Sequence, residues 1–150
     1  YVVLPYSLIE QFQTLKWYSD RHNSSIEQLV LTRFMQEGYF LKHIRKMKRI
    51  YQKRRKMLVD SLRKYFDNIK IIGQNAGMHL VVEFNQIEFT DDLIQYIYER
   101  GAVVYPVEQF TLHKGKHTNK LVLGYGSLTD SDIREGVHRL YEALLAIRKV

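Results

Sequence analysis

Met78-His79-Leu80-Val81-Val82-Glu83-Phe84 is the stretch on which the fold turns. Leu80, Val82 and Phe84 alternate with His79, Val81 and Glu83, the period of a strand with one face covered and the other open. Upstream, Ile69 to Ile72 is short, rich in β-branched residues and closed by Gly73, which predicts a second strand. Downstream, Thr90 caps a helix that runs through Asp91 and Asp92 to Arg100 and stops at Gly101. Val103-Val104-Tyr105 reads as a strand closed by Pro106, and a polar loop from Val107 to Asn119 leads into another strand from Lys120 to Tyr125. Thr129 caps a final helix with Ile133, Val137, Leu140, Leu144 and Ile147 on its inner face. The order β-β-α-β-β-α predicts an α/β unit in which helices cover one side of a mainly antiparallel sheet.

The first half carries the helical period instead. Tyr1-Val2-Val3-Leu4-Pro5 reads like a strand already under way, so the chain is expected to be a fragment of something longer. Ser7-Leu8-Ile9-Glu10 fits a capping box, with Leu8, Phe12 and Leu15 on one face of the helix it would start. Ser24 and Ser25 open a second helix whose buried stripe would be Ile26, Leu29, Val30 and Phe34, stopped at Gly38. A third and longest helix runs from about Phe40 to Phe66, with Ile44, Met47, Tyr51, Leu58 and Leu62 recurring near the helical period. No repeat, low-complexity segment or linker divides the chain, so one domain is expected.

The 150 residues hold no cysteine, which excludes disulfides, thiolate metal sites and a cysteine nucleophile. No apolar run approaches the roughly 18 residues of a membrane span. Lys and Arg number 23 against 16 Asp and Glu, a net charge of +7, which favours an anionic partner. Eleven of those cations lie between Lys42 and Lys64, where Asp60 is the one acid. Such a helix could track a nucleic-acid backbone, although an amphipathic core helix with a solvated outer face accounts for the same pattern.

The remaining candidates are weak by spacing alone. His113 and His117 stand four apart in a glycine-containing loop with no third ligand nearby, so no metal site is expected. His79 has the ordinary reading of a buried, hydrogen-bonded strand histidine, and Asp130 and Asp132 that of helix-cap carboxylates. Gly124-Tyr125-Gly126 lacks the spacing of a phosphate loop and reads as a turn from strand to helix.

Several segments together carry a resemblance: Gly38-Tyr39-Phe40-Leu41-Lys42-His43-Ile44-Arg45-Lys46-Met47, Tyr51-Gln52-Lys53-Arg54-Arg55, Asn75-Ala76-Gly77-Met78-His79-Leu80, Leu123-Gly124-Tyr125-Gly126-Ser127-Leu128 and Asp132-Ile133-Arg134-Glu135-Gly136-Val137. In order and spacing they resemble the C-terminal part of MocR-type regulators, a branch of the GntR family. There a winged-helix DNA-binding domain precedes a fold-type I aminotransferase-like domain. The resemblance implies an α/β fragment: 1–38 as the tail of the large domain, 39–66 as a connecting basic helix and 67–150 as the small domain.

It also implies pyridoxal 5'-phosphate as cofactor, bound by a lysine upstream of this chain that no lysine here matches. The catalytic lysine is thus absent, and the cofactor contacts within the chain are unknown. The small domain usually grips a ligand carboxylate with arginine. The positions matching that arginine hold Val122, in the strand before the Gly-aromatic pair, and Gln109, before Phe110; these, with His79, are the expected effector-binding residues. Both expected arginines being absent, an amino-acid carboxylate would have a weaker grip, which leaves room for a peptide-like amino compound or the cofactor itself.

The resemblance therefore implies a cytoplasmic regulator, homodimeric when full-length, that takes up an amino effector as an external aldimine. It would bind DNA through an upstream domain and have no membrane association. The alternatives are a true aminotransferase and a stand-alone nucleic-acid-binding domain acting through helix 42–64.

Overall fold

In a computed structural model the chain is described over residues 2–20, 24–73 and 77–148. It divides into two compact units, Tyr1–Lys46 and Met47–Val150.

The first unit holds helices α1 (Tyr6–Asp20) and α2 (Ser25–Gln36) and the start of α3 (Tyr39–Tyr65). Residues 2–4 form no strand, so the expected opening strand is not seen among the described residues. Helix α1 begins at Tyr6, ahead of the expected Ser7 cap, because the Pro5 carbonyl already accepts from the Leu8 amide at 3.0 Å. Ser24 does cap α2, accepting from the Glu27 amide, and Gly38 follows it at φ +79°, where glycine is least strained. The stripe of Ile26, Leu29, Val30 and Phe34 is exposed rather than buried, and α1 and α2 bury no residue at all. Periodicity marks a face that wants cover, and this unit supplies none.

The second unit contains the sheet: β1 (Ile69–Ile72), β2 (His79–Phe84), β3 (Tyr105–Pro106) and β4 (Lys120–Gly124) in the order β1-β2-β4-β3, every pair antiparallel. Helices α4 (Asp91–Glu99) and α5 (Asp130–Arg148) and a 3-10 turn (Val107–Phe110) complete it. β3 is shorter than the sequence implies, since only Tyr105 and Pro106 pair with β4, and the polar loop begins with helical turn instead. Leu80, Val82 and Phe84 from β2 and Leu121 and Leu123 from β4 pack against Leu58 and Leu62 of α3, Ile97 of α4 and Ile133, Val137, Leu140 and Leu144 of α5. Phe66 meets Phe84 edge-on at 5.2 Å, and Phe84 meets Phe89 at 5.3 Å.

Tyr125 closes this core. It is fully buried, and its hydroxyl donates to the Gly77 carbonyl at 2.6 Å. The flanking glycines do not adopt the left-handed conformation. A side chain at Gly124 would stand 3.3 Å from the His79 ring, and one at Gly126 3.4 Å from Met78 Sδ. The chain does bend at Gly126 on its way from β4 to α5, and the close approach of His79 and Met78 is a second reason for glycine at these two positions.

Truncating Leu62, which is fully buried, to alanine should cost about 2–5 kcal/mol. Tyr125→Phe, which removes one hydrogen bond and keeps the packing, should cost about 1 kcal/mol. Urea unfolding of the intact protein checks the order, and an equal cost for the two would contradict this account of the core.

Candidate functional site

Directly paired residues in an antiparallel sheet share a face. Leu80↔Leu123 and Val82↔Leu121 place the core on one side, and His79↔Gly124, Val81↔Val122, Glu83↔Lys120 and Tyr105↔Val122 place a second set on the other. The second face is not covered by helices of this unit. His79 and Val122, singled out in the sequence, therefore stand on the same open face. The His79 ring is exposed and lies against Gly124, which corrects its reading as a buried, hydrogen-bonded histidine.

Gln109 and Phe110 sit at the edge of the sheet in the 3-10 turn after β3, and both are exposed. Gln109 lines a cleft of about 340 Å³ together with Tyr98, Val103, Val104 and Tyr105. Tyr105 is thus the residue between the candidates, paired with Val122 in the sheet and sharing a cleft with Gln109. Nothing in its spacing marked it; only the register does.

The loop that follows is clamped by Glu108. Its carboxylate accepts from the Gly115 amide at 2.8 Å and from the His117 amide at 2.6 Å, while the Lys114 ammonium donates to the Glu108 carbonyl. The Gly115 hydrogen bond is the main reason the carboxyl ionises below the usual glutamate range; partial burial opposes it, and His117 and Lys114 reinforce it. His117 also meets Lys120, with Nδ1 3.1 Å from Nζ. A lysine ammonium only donates, so Nδ1 is the acceptor in this contact. Lys120 faces Glu83 across the strands at 3.7 Å. The two loop histidines belong to no group of three metal-binding side chains among the described residues.

A second cleft, of about 320 Å³, opens between the segment 101–104 and the start of α5, with Leu58, Leu123 and Leu128 among its apolar lining. At its rim Arg139 donates to Glu135 at 2.8 Å and to the Gly101 carbonyl at 3.3 Å. Asp130 and Asp132 do act at the helix start. Asp132 accepts from the Thr129 amide and hydroxyl, and Asp130 pairs with Lys53 of α3 at 2.6 Å; these contacts hold both carboxyls below the usual range. Arg54 of α3 donates to the Gly126 carbonyl.

Residues 9–140 match the family described as aminotransferase class I and II, and the chain belongs to that family. It is 29% identical over 95% of its length to the uncharacterized HTH-type transcriptional regulator YhdI of Bacillus subtilis, and 29% identical over 98% to the probable rhizopine catabolism regulatory protein MocR of Rhizobium meliloti. It spans 30% of each. These findings bear out the resemblance to the aminotransferase-like part of MocR-type regulators. The fold is that of fold-type I aminotransferases: the multiple substrate aminotransferase of Thermococcus profundus superposes with a TM-score of 0.81 at 24% identity, over 97% of this chain and 36% of its own. The kynurenine aminotransferase of Pyrococcus horikoshii gives the same TM-score at 23% identity, over 97% and 36%.

The family implies pyridoxal phosphate. Neither cleft is lined by a lysine, and the Lys120 ammonium is engaged by His117 and Glu83. Neither of these two clefts thus offers a lysine to receive the cofactor's aldehyde. Among the described residues, no helix is long and apolar enough to cross a membrane.

The Glu108 clamp makes a pH prediction. With its folded pKa below the unfolded value, its contribution is present above the usual glutamate range and is lost as pH falls through the folded pKa. The Gly115 and His117 amide resonances should therefore shift with a midpoint below that range in an acid titration followed by NMR. A midpoint at or above it would show that the clamp does not hold in solution.

Proposed function

We propose that the chain is part of the effector-sensing domain of a pyridoxal-phosphate-dependent transcriptional regulator. The observation that carries this reading is the similarity to an HTH-type transcriptional regulator over 95% of the chain and to a probable catabolism regulatory protein over 98%. The cofactor would be held mainly by residues outside the chain, DNA would be bound through an N-terminal domain, and the whole protein would work as a homodimer. An amino-group effector taken up at the cofactor would favour the closed arrangement of the small domain. It could shift the DNA-binding domains only by its differential affinity for the two arrangements.

The open face of the sheet is the surface we assign to the effector, with His79, Gln109, Phe110 and Val122 as its contacts. By the resemblance, Val122 would stand where aminotransferase relatives carry the carboxylate-binding arginine, and Gln109 can hydrogen-bond but supplies no charge. The effector is accordingly an amino compound whose far end is not gripped as a carboxylate. The alternative, an aminotransferase, shares the fold and the cofactor and is favoured by steady keto-acid production.

Two measurements test the proposal. The intact protein with pyridoxal phosphate should show a Schiff-base absorption band that borohydride fixes covalently; without such a band the cofactor reading fails. Gln109→Ala should weaken the binding of whichever member of a panel of amino acids and dipeptides shifts that band, by about tenfold, as loss of a hydrogen bond of about 1.4 kcal/mol implies. The band itself should stay. Val122→Arg should in turn raise the affinity for alanine, by about tenfold or more. Unchanged affinities in both variants would remove these residues from the site.

A further inference from the structure

Much of the outer face of α3 is used neither by the fold nor by the proposed site. Within the second unit, Lys53 and Arg54 are engaged by Asp130 and the Gly126 carbonyl. Arg49, Lys56 and Arg63 are exposed and have no ion-pair partner among the described residues. They recur at intervals of seven, so at two turns per seven residues they fall in one row on the side away from Leu58 and Leu62. The row is about 21 Å long at 1.5 Å per residue. Asp60 is the one acid on this stretch of the helix.

We infer that this row is a phosphate-tracking surface for duplex nucleic acid, auxiliary to any domain that reads the sequence. A straight cationic row matches the regular charge of a duplex backbone, where long side chains reach phosphates without reading bases. An anionic membrane is disfavoured, because binding there needs apolar residues beside the cations, and the apolar positions of this stretch turn into the core. A single strand is disfavoured because Tyr51 and Tyr65, the aromatic residues here, are packed against that core and offer no stacking platform. The inference takes from the regulator reading only its choice of DNA as the duplex.

The test is the salt dependence of binding to a random-sequence 30-base-pair DNA duplex, measured on the intact protein and on the variant Arg49→Gln/Lys56→Gln/Arg63→Gln. Losing three phosphate contacts should make the slope of log affinity against log salt shallower by about 2.7. Arg49→Lys/Arg63→Lys, which keeps the charge, should leave it near the original value. Should the triple variant lose its thermal transition, the single substitutions carry the test, each expected to lower the slope by about 0.9. An unchanged slope, or no binding by the unsubstituted protein, overturns the inference. So does displacement by poly-glutamate as ready as by unlabelled duplex, which would assign the face to an acidic polypeptide. The Schiff-base band on the same samples reports separately on the regulator reading: a normal band with an unchanged slope removes this inference alone, and a reduced slope without the band removes the other.

Discussion

The second unit depends on the register in which β2 pairs with β4. Each strand alternates, so one register puts Leu80, Val82, Phe84, Leu121 and Leu123 together on the covered side and brings Glu83 opposite Lys120 on the other. A slip of one residue by either strand would carry Glu83 or Lys120 into a core whose other members are 0–8% exposed, and an unpaired charge there is far costlier than any gain in pairing. The opposite-charge pair adds a smaller preference for the same register. Helices α3, α4 and α5 then have one apolar surface to cover, and the open face follows from it.

The dense charge of α3 becomes intelligible from this packing. Its inner residues Leu58 and Leu62 are buried, and two of its cations fasten the helix, Lys53 to Asp130 at the beginning of α5 and Arg54 to the Gly126 carbonyl in the bend before it. Lys64 lies over the Tyr65 ring, whereas Arg49, Lys56 and Arg63 are exposed and have no ion-pair partner among the described residues. Arg49, Lys56 and Arg63 stand about 10.5 Å apart along the helix, beyond a Debye length of roughly 8 Å, so salt largely screens their mutual repulsion.

What could be read from the sequence was local. Thr90 and Thr129 start helices where their side chains suggest, and Gly38, Gly73 and Gly101 take the positive φ that ending an element favours. Ser7 failed as a cap because the preceding Pro5 carbonyl supplies the first turn, a backbone choice no side chain announces. The stripe of α2 was legible as apolar, but not whether anything in its unit would cover it. The site shows the same division. His79 and Val122 could be named from motif positions, whereas their common face, and the intervening Tyr105, come from strand pairing between distant segments. The Glu108 clamp joins residues across a loop of irregular backbone, where neither the two-residue nor the 3.6-residue period operates.

The charges on the open face narrow what the proposed effector surface can hold. Lys120, the cation nearest to Val122 along β4, is already engaged by Glu83 and His117. Lys70, on the same face, stands in β1, two strands from β4 and two residues out of register with Val122, so it is about 12 Å away at the usual strand spacing and rise. A carboxylate seated over Val81, Val122 and Tyr105 would find Lys120 already paired and Lys70 out of reach, so these residues offer it little electrostatic gain. An uncharged amide or hydroxyl in the same place loses much less hydration, and the exposed Gln109 beside Tyr105 can return a hydrogen bond to it. The proposed surface would therefore select by what it lacks: none of the residues assigned to it is an arginine that could grip a carboxylate.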